Sequence, residues 1–172
     1  MEDQQTGAAG MIVVGLDGSD HAAAALRFAL AEGVRRGASV RVVTAYEYPS
    51  TWAFADGLYP YDEDDEVLEA VREETRLAVD EIRGGLDDAR RAVPVEVVVG
   101  LGAPSVVLPE LARGAVLLVV GHRGRGGLRS ALLGSVGLAA VMHAPCPVTV
   151  VPADSSAETV PVPESIGAGA GR

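Results

Sequence analysis

Lysine is missing altogether: the 14 basic residues of this 172-residue chain are all arginine. Chemistry that depends on a lysine amine, such as a Schiff base or the phosphate-cradling lysine of a Walker A loop, is thereby excluded. Cysteine is scarce too. Cys146 is the only one and has no partner for an intramolecular disulfide; with three scattered histidines it offers no metal-ligand spacing, so a reducing compartment is the natural one. No apolar stretch approaches the roughly 18 residues of a membrane span. The start, Met1 to Gly10, is acidic and polar and lacks the basic region of a signal peptide, so the expectation is a soluble, unexported, cytoplasmic protein. Positive charge is in short supply as well, 14 basic against 24 acidic residues for a net charge of -10. That balance repels nucleic-acid phosphates and anionic headgroups, so neither nucleic acid nor membrane is an expected partner.

Apolar residues, by contrast, are plentiful: they make up 48% of the chain against 22% charged, enough to offset the entropy of ordering one domain of ordinary size. Five short valine-rich runs punctuate the sequence, Met11 to Leu16, Ser39 to Tyr46, Pro94 to Gly100, Ala115 to Val120 and Pro147 to Val151. Each has the length and β-branched content of a strand. Between them, Ala22, Leu26, Ala29, Gly33 and then Leu68, Val71, Thr75, Ala78, Ile82 recur at spacings of three and four, as amphipathic helices require. Alternating strands and helices, with strands apolar on both faces, predict an open, doubly wound five-stranded parallel sheet with helices on both faces. Ser19 is placed to cap the first helix and Gly37 to end it, while Gly84-Gly85 weakens the end of the second. Pro94 and Glu96 do not suit a central strand, so the third strand belongs at an edge, leaving the first and fourth as central candidates. Residues 11–152 read as a single domain; residues 1–10 and 153–172, rich in small residues, acids and proline without periodicity, read as flexible ends.

Ligands of open parallel sheets gather beyond the carboxyl ends of the strands, where chain order reverses. Two glycine-bearing turns fall there. The first is Gly15-Leu16-Asp17-Gly18-Ser19; the second is Gly121-His122-Arg123-Gly124, followed after nine residues by Gly134-Ser135-Val136. Glycines 121 and 124 are free to take positive φ and to let backbone N–H groups approach a ligand. Gly134-Ser135 opens the last helix, whose free N–H donors and positive dipole end, with the Ser135 hydroxyl, match an anion of phosphate size. The stretch from Gly121 to His143 also carries Arg123, Arg125 and Arg129 and no acid, a cationic segment on an acidic body. The alternative is a Gly-Arg loop whose arginines are solvated or pair with the acids of Asp62 to Glu66.

The spacing Gly121-x2-Gly124-x9-Gly134-Ser135 resembles that of the universal stress proteins of the ATP-binding type. The resemblance runs from Met11 to about Pro152 and includes Ile12-Val13-Val14-Gly15-Leu16-Asp17-Gly18-Ser19 and Pro145-Cys146-Pro147-Val148-Thr149-Val150-Val151. It implies a sheet in the order 3-2-1-4-5 and a bound adenine nucleotide, ATP or ADP, with Mg2+ held through its phosphates. By the same resemblance Gly121, Gly124, Gly134, Ser135 and Val136 make the phosphate and ribose contacts, largely through backbone N–H groups. Gly15, Val120 and Arg123 belong to the same site, the arginine as a bidentate partner for phosphate oxygens. Asp17 sits beside the nucleoside, its alternative role being to cap the turn into the first helix. Ala45 matches the position that offers backbone groups to the adenine edge; otherwise it is a core alanine. His122 is read as an exposed loop residue.

The chain departs from the family pattern at Gly114-Ala115, where an acid often precedes strand four, and at Gly137, where the family often has a second hydroxyl. The second departure weakens the case for terminal-phosphate or metal contacts. Six of the seven aromatics, Tyr46, Tyr48, Trp52, Phe54, Tyr59 and Tyr61, fall in one segment that reads either as a lid over the base or as a loop covering apolar surface. The leading functional reading is an ATP-binding stress-response sensor acting as a homodimer through the last strand, Val148 to Val151. Two alternatives stay open: slow ATP hydrolysis or phosphoryl transfer, for which no obvious base follows the motif, and a nucleotide-free homodimeric scaffold.

Overall fold

The computed structural model describes residues 10–47, 64–124 and 133–153. Among the described residues five strands and five helices follow in the order β1 (Met11–Gly15), α1 (Asp20–Arg36), β2 (Ser39–Tyr46), α2 (Asp64–Gly84), α3 (Asp88–Arg91), β3 (Val95–Leu101), α4 (Pro104–Leu111), β4 (Leu117–Gly121), α5 (Ser135–His143) and β5 (Val148–Val151). All pairings are parallel and the sheet order is β3-β2-β1-β4-β5. The strands fall where the valine runs put them, with ends displaced by up to two residues. Pro94 lies just outside β3, and its carbonyl accepts the Val40 N–H at 2.9 Å. Glu96 does lie on an edge strand, directly across from Arg41, and the two side chains pair at 2.8 Å.

Side chains alternate across the central strands and build two cores. Ile12, Val14, Leu117 and Val119 point to one face, where Ala25, Leu26, Ala29 and Leu30 of α1 and Val79 of α2 cover them. Val13, Val43, Leu118 and Val120 point to the other, against Val107, Leu108 and Ala112 of the α4 segment and Ala140 of α5. A strand buried on both faces has to be apolar at every position, which is why β1 and β4 are unbroken valine, leucine and isoleucine from residues 12 to 14 and 117 to 120.

The first helix starts and stops as its sequence dictates. Ser19 adopts extended geometry and its side chain accepts the Ala22 N–H, while Gly37, at φ 63, ends the helix with its N–H on the Gly33 carbonyl. Gly33 is itself needed for packing, because a Cβ there would meet Val93 Cγ1 at 2.9 Å and the Ala38 carbonyl at 3.1 Å. Two helices have no periodicity to announce them. α3 has only four residues, with Asp87 as its cap. α4 is apolar nearly throughout, Pro-Ser-Val-Val-Leu-Pro-Glu-Leu, and its one local signal is Pro104 at the first turn. Among the described residues no helix is long and apolar enough to cross a membrane. The terminal segments, Tyr48 to Tyr61 of the aromatic segment, Arg125 and Arg129 lie outside the described residues.

Candidate functional site

Chain order reverses between β1 and β4, and at their carboxyl ends a cleft of about 770 Å³ opens. β1 contributes Gly15 and the turn Leu16, Asp17, Gly18; β4 contributes Val120, Gly121, Arg123 and Gly124. Gly134, Ser135 and Val136 enter from the start of α5, Ala45 from the end of β2, and Val71, Glu74, Thr75 and Ala78 from α2. All ten residues singled out from the sequence, Gly15, Asp17, Ala45, Val120, Gly121, Arg123, Gly124, Gly134, Ser135 and Val136, therefore line one cavity.

Their individual roles differ from the sequence expectations in several places. Positive φ in the two turns belongs to Gly18, at 79°, and not to Gly121 or Gly124. Gly121 lacks a side chain because α1 is there: a Cβ would stand 2.8 Å from the His21 carbonyl carbon and 2.9 Å from its oxygen. Gly124 lies under Asp17, with Oδ2 2.6 Å from where a Cβ would be. The other oxygen, Oδ1, accepts the Ser19 N–H at 3.0 Å. Asp17 thus fixes the turn into α1 with one oxygen, while the other lies close to Gly124 of the second turn. Gly134 lines the cavity, but its N–H donates to the His122 carbonyl at 3.1 Å and closes the loop ends on each other. That amide is occupied within the chain, so the donors left at this helix start are those of the residues that follow.

Those following donors sit at the first turn of α5. Its cap residue, Gly134, has extended geometry (φ -68, ψ 160) and provides no side-chain hydrogen bond, so the N–H groups of Ser135, Val136 and Gly137 begin the helix without a side-chain acceptor. Together with the helix dipole they make the cleft's anion-favouring end, in keeping with the donor set a phosphate requires. Ser135 is exposed there, and Arg123, half-buried, belongs to the same lining. His122 is half-buried, a departure from the exposed residue expected. Its N–H donates to the Val151 carbonyl at 2.7 Å, and its ring centre lies 6.3 Å from that of His21. Among the described residues no group of three or more His, Cys, Asp or Glu side chains is placed to hold a metal ion directly.

The cavity lining also holds residues that sequence reasoning did not assign to it. Thr44 and Tyr46 reach it from β2, Glu74 and Thr75 from α2, and Pro104 and Leu108 from α4. The stripe Val71, Thr75, Ala78 was visible as an amphipathic face; its lone polar member, Thr75, is buried. A threonine on the apolar stripe of a helix was the signal available.

The fold is thus an open, doubly wound α/β sheet with a cleft at its switch point, lined by the start of α5, both glycine turns, the end of β2 and one face of α2. Residues 10–152 match the family model for the universal stress protein family, and the chain belongs to that family. Universal stress protein Rv2005c of Mycobacterium tuberculosis is 30% identical over 163 residues, covering 89% of this chain and 50% of its own length. The chain spans about half the length of the curated relatives it matches at this level. Among solved structures, a universal stress protein in complex with cAMP superposes with a TM-score of 0.59 at 28% identity, covering 86% of this chain and 99% of that one. A universal stress protein from Archaeoglobus fulgidus in complex with dAMP gives 0.53 at 26%, covering 84% and 98%.

Proposed function

We propose that this chain is an ATP-binding universal stress protein, a cytoplasmic sensor whose nucleotide occupancy is read by partners. The observation that carries the reading is the single cleft joining Asp17, the second turn and the start of α5. In this arrangement the phosphates lie against Arg123, Gly124 and the N–H groups of Ser135 and Val136. Asp17 meets the ribose and the base lies toward Ala45, lined by Gly15, Val120 and Gly121. The adenine nucleotides named in the two solved relatives, cAMP and dAMP, support an adenine ligand. Mg2+ is then held through the phosphates, in the absence of a direct carboxylate cluster among the described residues. Among the described residues β5 pairs with β4 alone and forms one edge of the sheet, which supports dimerisation through Val148 to Val151.

The test is mass spectrometry of whatever co-purifies, followed by thermal unfolding with ATP, ADP or cAMP. At a ligand concentration of 100 times Kd, binding adds about 2.7 kcal/mol, a rise in Tm of roughly 5–10 °C for a chain of this size. Absence of any co-purified nucleotide together with no saturable shift from all three refutes the reading and leaves the dimeric scaffold. Release of inorganic phosphate from bound ATP would turn the sensor into a slow hydrolase. Light scattering of the purified chain tests the dimer.

A further inference from the structure

Outside the cleft, the fold brings together two histidines that are far apart in the sequence. His21, the second residue of α1, and His122, just beyond β4, have ring centres 6.3 Å apart with their planes tilted by 31°. Both are half-buried, and neither lines the cleft. Their backbones are held on several sides. The His122 N–H donates to the Val151 carbonyl at 2.7 Å, and the His122 carbonyl accepts the Gly134 N–H at 3.1 Å. His21 lies so close to Gly121 that a Cβ there would stand 2.8 to 2.9 Å from three of its atoms. The separation of the two rings is therefore set by the packing of α1 on β4, and a ligand that uses both rings meets them already positioned.

We infer that His21 and His122 form a two-imidazole site for a divalent transition-metal ion of the copper type, held between the two rings. With metal–nitrogen bonds of about 2.0–2.1 Å, two imidazoles on one ion have ring centres about 5.3 Å apart at a tetrahedral angle and about 6.5 Å apart when trans. The observed 6.3 Å lies near the trans limit. Tetragonal Cu(II) and Ni(II) accept that arrangement, whereas tetrahedral Zn(II) requires the rings about 1 Å closer. Trans ligation leaves each ring plane free to turn about the metal–nitrogen axis, so the 31° tilt is accommodated. Histidine χ2 is a broad torsion, and rotation about it turns a nitrogen toward the ion without moving the backbone. Imidazole nitrogen favours copper and nickel over the oxygen-seeking Mg2+ and Ca2+, and copper binds most tightly of the divalent first-row ions. The positive end of the α1 dipole opposes a cation here, and Asp20, an acid in the first turn of α1, offsets it. Among the described residues no cluster of three or more His, Cys, Asp or Glu includes the pair, so water completes the coordination. The site stands apart from the nucleotide reading and does not depend on it.

Calorimetric titration of Cu(II) into the intact chain, with electron paramagnetic resonance of the loaded protein, tests the inference. The expected result is one Cu(II) per chain with a tetragonal spectrum and nitrogen splitting from two imidazoles. His21→Gln and His122→Gln should each weaken binding by at least about tenfold, since loss of a ligand costs no less than loss of the group that orients one. His143→Gln, at the exposed third histidine on the last turn of α5, should leave the affinity unchanged. A wild type that takes up no Cu(II) overturns the site. Full affinity retained in either His21→Gln or His122→Gln also overturns it, by assigning the ion to another group such as the terminal amine, as does an equal loss in His143→Gln. Should either variant lack a native circular dichroism spectrum, the wild-type splitting decides: two imidazole nitrogens uphold the pair, and one or none overturns it.

Discussion

Gly121 and Gly134 occupy equivalent-looking places in the sequence motif, yet the structure gives them opposite reasons for being glycine, and alanine at each separates those reasons. At Gly121 a Cβ would stand 2.8 Å from the carbonyl carbon, 2.9 Å from the oxygen and 2.9 Å from the Cβ of His21. Two of those three atoms are backbone of α1, so relief requires the helix to move away from β4. Overpacking of that kind costs about 1–3 kcal/mol, or a fall in Tm of roughly 2–12 °C for a chain of this length. At Gly134 the nearest atoms, the His122 carbonyl oxygen and Arg123 Cα, lie 3.5 and 3.6 Å away, ordinary contact distances. Its φ of -68 and ψ of 160 suit alanine. The weaker capping of alanine and the reduced entropy of the unfolded chain act in opposite directions, each on the order of 0.5–1 kcal/mol, leaving a net change within about 0.5 kcal/mol. Urea unfolding followed by circular dichroism, with nucleotide titration of the same samples, measures both consequences. The expected result is a destabilised Gly121→Ala and a Gly134→Ala of wild-type stability whose nucleotide affinity falls about tenfold, because the added methyl faces the turn at His122 to Gly124, where the proposed function puts the phosphates. Wild-type stability in Gly121→Ala would refute the packing account. Unchanged affinity in Gly134→Ala would place the phosphates elsewhere.

Other consequences are simpler to state. Ser19→Ala removes the acceptor for the Ala22 N–H and should lower stability by about 1 kcal/mol in the same urea assay, with Ser19→Asn close to wild type. At Gly124, alanine would bring its Cβ within 2.6 Å of Asp17 Oδ2. The carboxylate is the end of a flexible side chain, so the expected loss is in nucleotide affinity and not in Tm; an unmoved affinity would show that Asp17 has no part in binding. The Arg90 N–H donating to Asp87 holds that carboxyl below its ordinary value. Its contribution is therefore present above the unfolded pKa and lost as pH falls through the lowered folded one, so an Asp87→Ala comparison should lose its stability difference in acid. Burial pushes the Cys146 thiol up. Iodoacetamide should accordingly label the native chain more slowly at pH 8.5 than the urea-unfolded chain, as read by mass spectrometry.

How much of this was legible in the sequence depends on whether a feature is local. β1 and β4 declare themselves because burial on both faces demands valine, leucine or isoleucine at every central position, and α1 because Ser19, Gly37 and the small-residue stripe agree. Strand order follows from the unsuitability of Pro94 and Glu96 for a central strand, combined with the family resemblance. α4 stays hidden, since a helix covering a sheet and packed on α5 is apolar nearly all round and loses its period. The glycine motif marked residues that line the cleft, but the expected positive φ at Gly121 and Gly124 is not there. A sequence shows that a side chain is missing, and does not show which neighbour fills the space: for Gly121 it is the α1 backbone, for Gly124 the Asp17 carboxylate.

The same limit explains Thr44 and Thr75. Each is unremarkable alone, one near the end of a valine-rich strand and one on a helix stripe, and they lie 31 residues apart. Only the parallel pairing of β1 with β2, which lets Leu16 N–H reach the Val43 carbonyl at 2.9 Å, brings the Leu16 carbonyl to the Thr44 hydroxyl. α2 then brings Thr75 to 3.0 Å from the Thr44 hydroxyl. The first turn, which carries Asp17 one residue after Leu16, is in this way tied through two hydroxyls to α2, which also lines the cleft. On the proposed nucleotide reading, a ligand that shifts Thr44 would therefore act on the backbone next to Asp17. Double-mutant coupling between Thr44→Val and Asp17→Asn in nucleotide affinity should consequently depart from additivity by more than about 0.5 kcal/mol; strict additivity would mean that the two residues act independently.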